Sequence, residues 1–234
     1  MKRNYPSVLV FASGEPEWGE GGSGFEAMVK AAQANPPILE ARICSVVSNH
    51  CGGGIAEKAE KLGVRFQCWK GPFKAEGYQN YLKQFKADFV MLSGWDWPVD
   101  GLEADRVVNI HPAPLNYDDA SRHFGGKGFH GLRVHEKVLE AFRKGLINRT
   151  EVTLHFVPPF SQSGYDTGSI IARIPVEIQV NDTPVILQDR VKAVEHVWQS
   201  RVLNEVVHGR VRLANGQVVY ETEELKQLLM PAAE

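Results

Sequence analysis

Asn109 and His111 stand two apart in the run Arg106-Val107-Val108-Asn109-Ile110-His111-Pro112. In an extended strand, residues two apart project to the same face, so an amide donor and an imidazole aim at one point. Pro112 and Pro114 stop the strand there, because proline donates no ladder bond and restricts the residue before it. Packing gives a polar pair little reason to leave a buried apolar strand at such a stop. A binding or catalytic role does.

Two further constellations offer complementary chemistry. Gly164-Tyr165-Asp166-Thr167-Gly168 places a carboxylate in a glycine-flanked turn. Facing a histidine, it would raise the imidazole pKa and orient the ring. Taken alone, it would as readily satisfy nearby backbone N–H groups. The segment from Ser13 to Gly24 is glycine-rich and leads into a helical pattern. Amides near Gly22, Ser23 and Gly24, at a helix N-terminus, would suit a phosphate. Gly19-x-Gly21-x-x-Gly24 also matches a dinucleotide pattern. However, about six residues separate it from its strand, and the second strand ends Ser45-Val46-Val47-Ser48-Asn49 without the acidic residue that pattern needs. A plain surface turn is the remaining alternative.

Other polar residues read as structural. His155 shares a strand face with Thr153 and reads as a packed polar residue. His130 and His135 are five apart, on different sides of a helix, which disfavours zinc. Lys58 and Lys61, among glutamates, form a solvated helical face.

The elements that must position these groups alternate between β-branched runs and amphipathic stretches, the βαβ pattern. Strands are expected at Ser7–Ala12, Ile43–Val47, Val64–Cys68, Phe89–Leu92 and Arg106–His111, with helices around Phe25–Ala32, Ile55–Leu62 and Tyr78–Phe85 between them. A helix near Val134–Lys144 then gives way to strands at Glu151–Val157 and Ser169–Val180. Thr183 is the expected N-cap of a long helix reaching about Val207, and Asn215-Gly216 turns a closing hairpin. No repeat or linker interrupts the chain, so one compact domain over 1–234 is expected. In open α/β sheets ligands bind at the carboxyl ends of parallel strands, which directs attention to the loops after Ala12, Leu92 and His111.

Composition bounds the answer. The chain has 234 residues, long enough for a full core, and 43% hydrophobic with 23% charged residues is ordinary for a globular protein. A net charge of −2 supplies no general attraction to nucleic acid. No run approaches the roughly 20 apolar residues of a membrane span. Met1 to Pro6 shows no apolar leader, so a cytoplasmic protein is expected. Cys44, Cys51 and Cys68 are odd in number and lack C-x-x-C spacing, which predicts reduced thiols.

Taken together, Asn109-Ile110-His111-Pro112, the downstream Asp166-Thr167-Gly168, the strand Val152–Val157 and the pair Glu195-His196 resemble the folate-dependent formyltransferase family, from about Val8 to Gly209. The resemblance implies a three-layer, Rossmann-like α/β fold, with a mostly parallel central sheet flanked by helices. It divides the single domain into a nucleotide-binding-like half (1–112), a folate and catalytic half (113–210) and a C-terminal hairpin and tail (211–234).

It also implies transfer of a formyl group from 10-formyltetrahydrofolate, as cosubstrate and without a metal, to the amine of a small phosphorylated acceptor. Glycinamide ribonucleotide, in purine biosynthesis, is the acceptor it points to. An amino sugar, an N-hydroxy amine or an aminoacyl-tRNA would need the same chemistry, and a non-catalytic folate- or nucleotide-binding module is the non-enzyme reading. Catalysis would fall to Asn109 as oxyanion donor, to His111 kept protonated by Asp166, and to Asp166 as proton relay. Gly22, Ser23 and Gly24 would hold the phosphate and Glu195 the ribose. Trp95, Asp96, Trp97, Pro98 and Val99, with Gln162, Ser163, Gly164 and Tyr165, would hold the folate. A monomer or homodimer without membrane attachment is expected. The chain departs from the family pattern at the stretched Glu15–Glu20 loop and at Trp95 and Trp97.

Overall fold

The computed structural model describes residues 5–17 and 19–231; Met1 to Asn4, Trp18 and the last three residues lie outside them, and with them the N-terminal part of the leader reading. Strand β1 (Ser7–Phe11) is buried along its whole length. Its residues alternate between faces. Val8 and Val10, with the following Ala12, enter one apolar core, and Leu9 and Phe11 enter another. Each fully buried aliphatic side chain stabilises the fold by about 1.5–3 kcal/mol relative to exposure.

Around β1 a seven-stranded sheet forms in the order β3-β2-β1-β4-β5-β6-β7. Its strands are β2 (Arg42–Ser48), β3 (Phe66–Cys68), β4 (Phe89–Leu92), β5 (Val107–His111), β6 (Arg149–Phe156) and β7 (Ile170–Glu177). The pairs from β3 to β5 are parallel, whereas the β5–β6 and β6–β7 pairs are antiparallel. This is the layered, mostly parallel architecture expected from the sequence.

Helices cover the two faces unequally. Apolar residues of α1 (Ser23–Gln33), α2 (Gly54–Lys61), α4 (Leu132–Arg143) and α6 (Pro184–Val207) join the larger core. On the other face the buried helical residues, Tyr78 and Phe85, come from α3 (Ala75–Phe85), packed with Trp69 and Trp95 over the β1–β4 side. On β5, Val108 and Ile110 belong to the larger core, so the alternating Asn109 and His111 take the opposite face.

Local signals act as the sequence predicts. Thr183 caps α6, its Oγ1 accepting from Ile186 N at 3.3 Å, and Pro184 opens the helix where its missing N–H costs nothing. The hairpin β8 (Val211–Ala214) and β9 (Gln217–Tyr220) turns at Asn215-Gly216. The short α5 (Phe160–Ser163) and α7 (Glu223–Leu229) were not expected. Among the described residues, no helix is long and apolar enough to cross a membrane.

One expectation is overturned. Cys51, in the loop after β2, is bonded to Cys68, the last residue of β3, with Cα atoms 4.8 Å apart. Parallel pairing of β2 with β3 brings together two cysteines 17 residues apart. Cys44 is a free, half-buried thiol. Lys58 also departs from a purely solvated role, donating to the Gly19 carbonyl at 3.1 Å.

Candidate active site

Antiparallel register sets the site. Asn109 on β5 stands directly opposite His155 on β6, and His111 opposite Thr153. A register shift at Leu154/His155 in the β6–β7 pairing locally re-aims His155. Asn109 Nδ2 lies 3.0 Å from His155 Nε2 and 3.3 Å from Asp166 Oδ1. His155 Nδ1 faces the Phe156 carbonyl at 2.9 Å. A carbonyl only accepts, so Nδ1 carries the hydrogen and the Nε2 lone pair takes the Asn109 amide. Both Asn109 amide hydrogens are thus spoken for.

Asp166 reaches the pair from the β6–β7 connection. Its φ of 53° is a left-handed conformation that side chains adopt only when surroundings impose it. Gly168 behind it has no room for a side chain, because a Cβ there would collide with the Phe156 carbonyl. The Gly126 N–H donates to Asp166 Oδ2 at 2.9 Å. Burial alone would raise the Asp166 pKa. The neighbouring imidazoles of His155 and His111 and the Gly126 amide outweigh it and hold the carboxyl at about 2.

His111 is buried, its Nε2 donating to the Phe124 carbonyl at 2.6 Å while Nδ1 stands 3.8 Å from Asp166 Oδ2. Burial pushes its pKa below the ordinary value, and Asp166 only partly offsets this. Burial thus works against the expectation that Asp166 keeps the ring protonated. At 3.8 Å from Nδ1 the Asp166 carboxylate is beyond hydrogen-bond reach. Asn109, His111 and Asp166 do converge, and His155, which the sequence marked as packing, completes the group. No cluster of three or more His, Cys, Asp or Glu among the described residues could hold a metal ion.

The acceptor-side residues gather at α1. Gly22 precedes it with φ 72°, and a Cβ there would lie 2.5 Å from Ile55 Cδ1, so only glycine fits. Ser23 Oγ meets His196 Nε2 at 3.1 Å, and Gln199 Nε2 donates to the Gly24 carbonyl at 2.8 Å. These contacts dock α1 on α6 and leave the first-turn amides as potential anion donors. Burial raises Glu195 to about 7, with Lys192 opposing. Lys192, one helical turn from Glu195, donates to Gln188 Oε1 at 3.1 Å.

The predicted folate-side loops are clamped together. Trp95 and Val99 are buried, whereas Asp96 and Trp97 are exposed. Trp95 Nε1 donates to Tyr78 Oη, which donates to the Pro98 carbonyl. Asp96 N is held by Ser13 Oγ, and the Val99 carbonyl by Phe160 N. Several backbone groups of this loop are thereby spent on holding it. Asp100 binds both Ser161 N and Oγ, tying the loop to α5, where Gln162 and Ser163 are exposed and Gly164 turns the chain at φ 86°. Tyr165 packs edge-on to Phe160, and its pKa is raised by burial and by Asp96 and Asp166. Trp97, 42% exposed, stacks on Phe73 at 4.2 Å and keeps an outer face open.

Residues 7–203 match the family model described as formyl transferase. The chain belongs to the formyl transferase family. Among its relatives is the chloroplastic phosphoribosylglycinamide formyltransferase of Arabidopsis thaliana, 36% identical over 88% of this chain and 66% of that protein. The phosphoribosylglycinamide formyltransferase of Bacillus subtilis is 26% identical over 85% of this chain and 93% of its own. The crystal structure of glycinamide ribonucleotide transformylase 1 from Geobacillus kaustophilus superposes with a TM-score of 0.68 at 28% identity, covering 87% of this chain and 100% of that one. This formyl transferase spans just under two thirds of the length of the Arabidopsis and Vigna relatives.

Proposed function

We propose that this formyl transferase moves the formyl group of 10-formyltetrahydrofolate onto the amine of glycinamide ribonucleotide, a step of purine biosynthesis. The observation that carries the reading is the convergence of Asn109, His111 and Asp166 from separate segments. The names of the relatives support the choice of acceptor.

The acceptor amine attacks the formyl carbon, and the carbonyl electron pair moves onto oxygen. One Asn109 amide hydrogen turns from Asp166 to that oxyanion, a preorganised donor of the kind that contributes about 3–4 kcal/mol to the barrier. The neutral His111 Nδ1 accepts the amine proton. The resulting imidazolium is stabilised by Asp166, which also relays protons through water. Collapse of the tetrahedral intermediate breaks the bond to the folate nitrogen N10, which takes a proton as it leaves.

Gly22, Ser23 and Gly24 bind the acceptor phosphate, and Glu195 accepts from the ribose. Trp95 to Val99 and Gln162 to Tyr165 hold the folate. The catalyst is a single domain over 1–234, a monomer or homodimer that works in the cytoplasm and takes up neither metal nor nucleic acid. The test offers 10-formyltetrahydrofolate with glycinamide ribonucleotide, its dephosphorylated riboside, an amino sugar nucleotide and an N-hydroxy amine. Transfer to the ribonucleotide alone is expected. Equal activity on the riboside would contradict the phosphate assignment, and transfer to none would refute the reading.

A further inference from the structure

We infer that Cys51 and Cys68 form a reversible thiol-oxidation site that sets the grip of the Ser13–Gly22 loop on the acceptor's phosphate. The acceptor part of this inference rests on the function proposed above; the coupling of the disulfide to the loop does not.

The coupling is read from packing. The loop lies on the segment that begins α2. Gly54 has no space for a side chain, because a Cβ there would strike the Glu20 carbonyl. Ile55 fills the gap beneath both Gly14 and Gly22, where added Cβ atoms would meet it at 2.7 and 2.5 Å. Lys58 Nζ donates to the Gly19 carbonyl, and Ser48 Oγ to the Ser13 carbonyl at 3.0 Å. The floor under the loop is therefore the stretch from Ser48 to Lys58.

Cys51 lies inside that stretch, in a run of bends between β2 and α2 that ends in Gly52-Gly53. Two successive glycines give the connection large backbone freedom when nothing restrains it. The bond to Cys68 fastens it to β3, a strand set in the sheet, with Trp69 N donating to the Ser48 carbonyl at 2.8 Å. Oxidation thus pins the floor and reduction releases it. Gly22, at the end of the loop, leads into the first turn of α1, so a freed floor loosens the amides assigned to the phosphate.

The exchange needs a disulfide of the glutathione class. The exposed Cys51 thiolate attacks one of its sulfurs, breaking the S–S bond and expelling one thiol. The Cys68 thiolate then attacks Cys51 Sγ, closing the protein disulfide and expelling the second thiol. Two protein thiols are oxidised, one small disulfide is reduced to two thiols, and the two protons pass to those leaving groups. A dithiol reverses the sequence.

The experiment equilibrates the full chain in glutathione buffers of graded ratio and counts alkylated cysteines by intact mass. Oxidised protein is expected to expose one thiol, Cys44, and reduced protein all three. Hydrogen exchange in the 13–22 segment is expected to slow on oxidation. The KM for glycinamide ribonucleotide should fall by about threefold to tenfold, with the folate KM and kcat nearly unchanged. Cys51→Ser and Cys68→Ser should each behave as the reduced enzyme at every ratio. Three alkylated cysteines in fully oxidising buffer would overturn the inference. So would oxidation that alters neither loop exchange nor acceptor KM. Absence of formyl transfer alongside a redox-dependent exchange rate would instead count against the proposed acceptor.

Discussion

The Asn109 amide and the His155 imidazole face each other across the β5–β6 pair at 3.0 Å, and His155 can only be the acceptor because its other nitrogen is committed to the Phe156 carbonyl. This fixes which end of Asn109 points toward Asp166. With one amide hydrogen held by His155, the longer 3.3 Å contact to Asp166 is the one free to turn to substrate.

Replacing His155 by Phe should therefore leave Asn109 unanchored without removing it. We expect kcat to fall about hundredfold, the cost of a misplaced catalytic group, with both KM values little changed. His155→Gln, whose amide oxygen can accept, should recover part of the loss. Steady-state kinetics on both variants check this, and a wild-type kcat for the Phe variant would contradict it.

Asn109→Ala removes the oxyanion donor itself, and kcat should drop by about a hundredfold to a thousandfold. Asp166→Asn keeps the shape but not the charge that stabilises the His111 imidazolium, and should also cost turnover by orders of magnitude. Circular dichroism and thermal melting should show both variants folded.

The acid limb of stability follows from Asp166. Its carboxyl, ordinarily near 3.8, sits at about 2 in the folded protein. Its contribution is complete above the unfolded value and is lost as pH falls through about 2. Asp166→Asn should flatten that part of the stability curve in denaturant titrations at graded pH.

Glu195 behaves oppositely. Its pKa is raised to about 7 by burial, so the folded protein holds a proton the unfolded chain has lost. Stability from this group is greatest below about 4.5 and declines as pH rises toward 7. An ionised carboxylate accepts ribose hydroxyls more strongly than a protonated one, so acceptor KM should fall as pH rises through about 7. Glu195→Gln should abolish that pH dependence, which a KM profile from pH 5.5 to 8.5 would reveal.

Trp97 presents one open indole face while Phe73 holds the other. Trp97→Ala should raise the KM for 10-formyltetrahydrofolate by about tenfold, in keeping with an aromatic contact of about 0.5–1.5 kcal/mol plus lost area. The acceptor KM should be unaffected. Equal folate KM in the variant would remove Trp97 from the cosubstrate site.

Much of this was legible in one dimension because strand periodicity is local. The two-residue spacing of Asn109 and His111, the proline stop and the turn around Asp166 each declare themselves within a few residues. His155 did not, since a lone histidine on a buried strand reads as packing until register shows what stands opposite. The Cys51–Cys68 bond was hidden because it depends on which strands are neighbours. The setting of His111 was hidden for a related reason. Sequence names the carboxylate beside a ring but not the depth of burial, and here burial is the larger effect.

The uneven clothing of the sheet has a consequence for how this chain can change. Asn109, His111 and His155 occupy strand positions that a packing-only design would give to valine or leucine beneath a further helix. The larger, continuous core on the opposite side carries the fold, which lets this buried polar group add little to cohesion. Greasy replacements there would trade chemistry for robustness, whereas the same exchanges beneath α1 and α6 would find nothing left to improve.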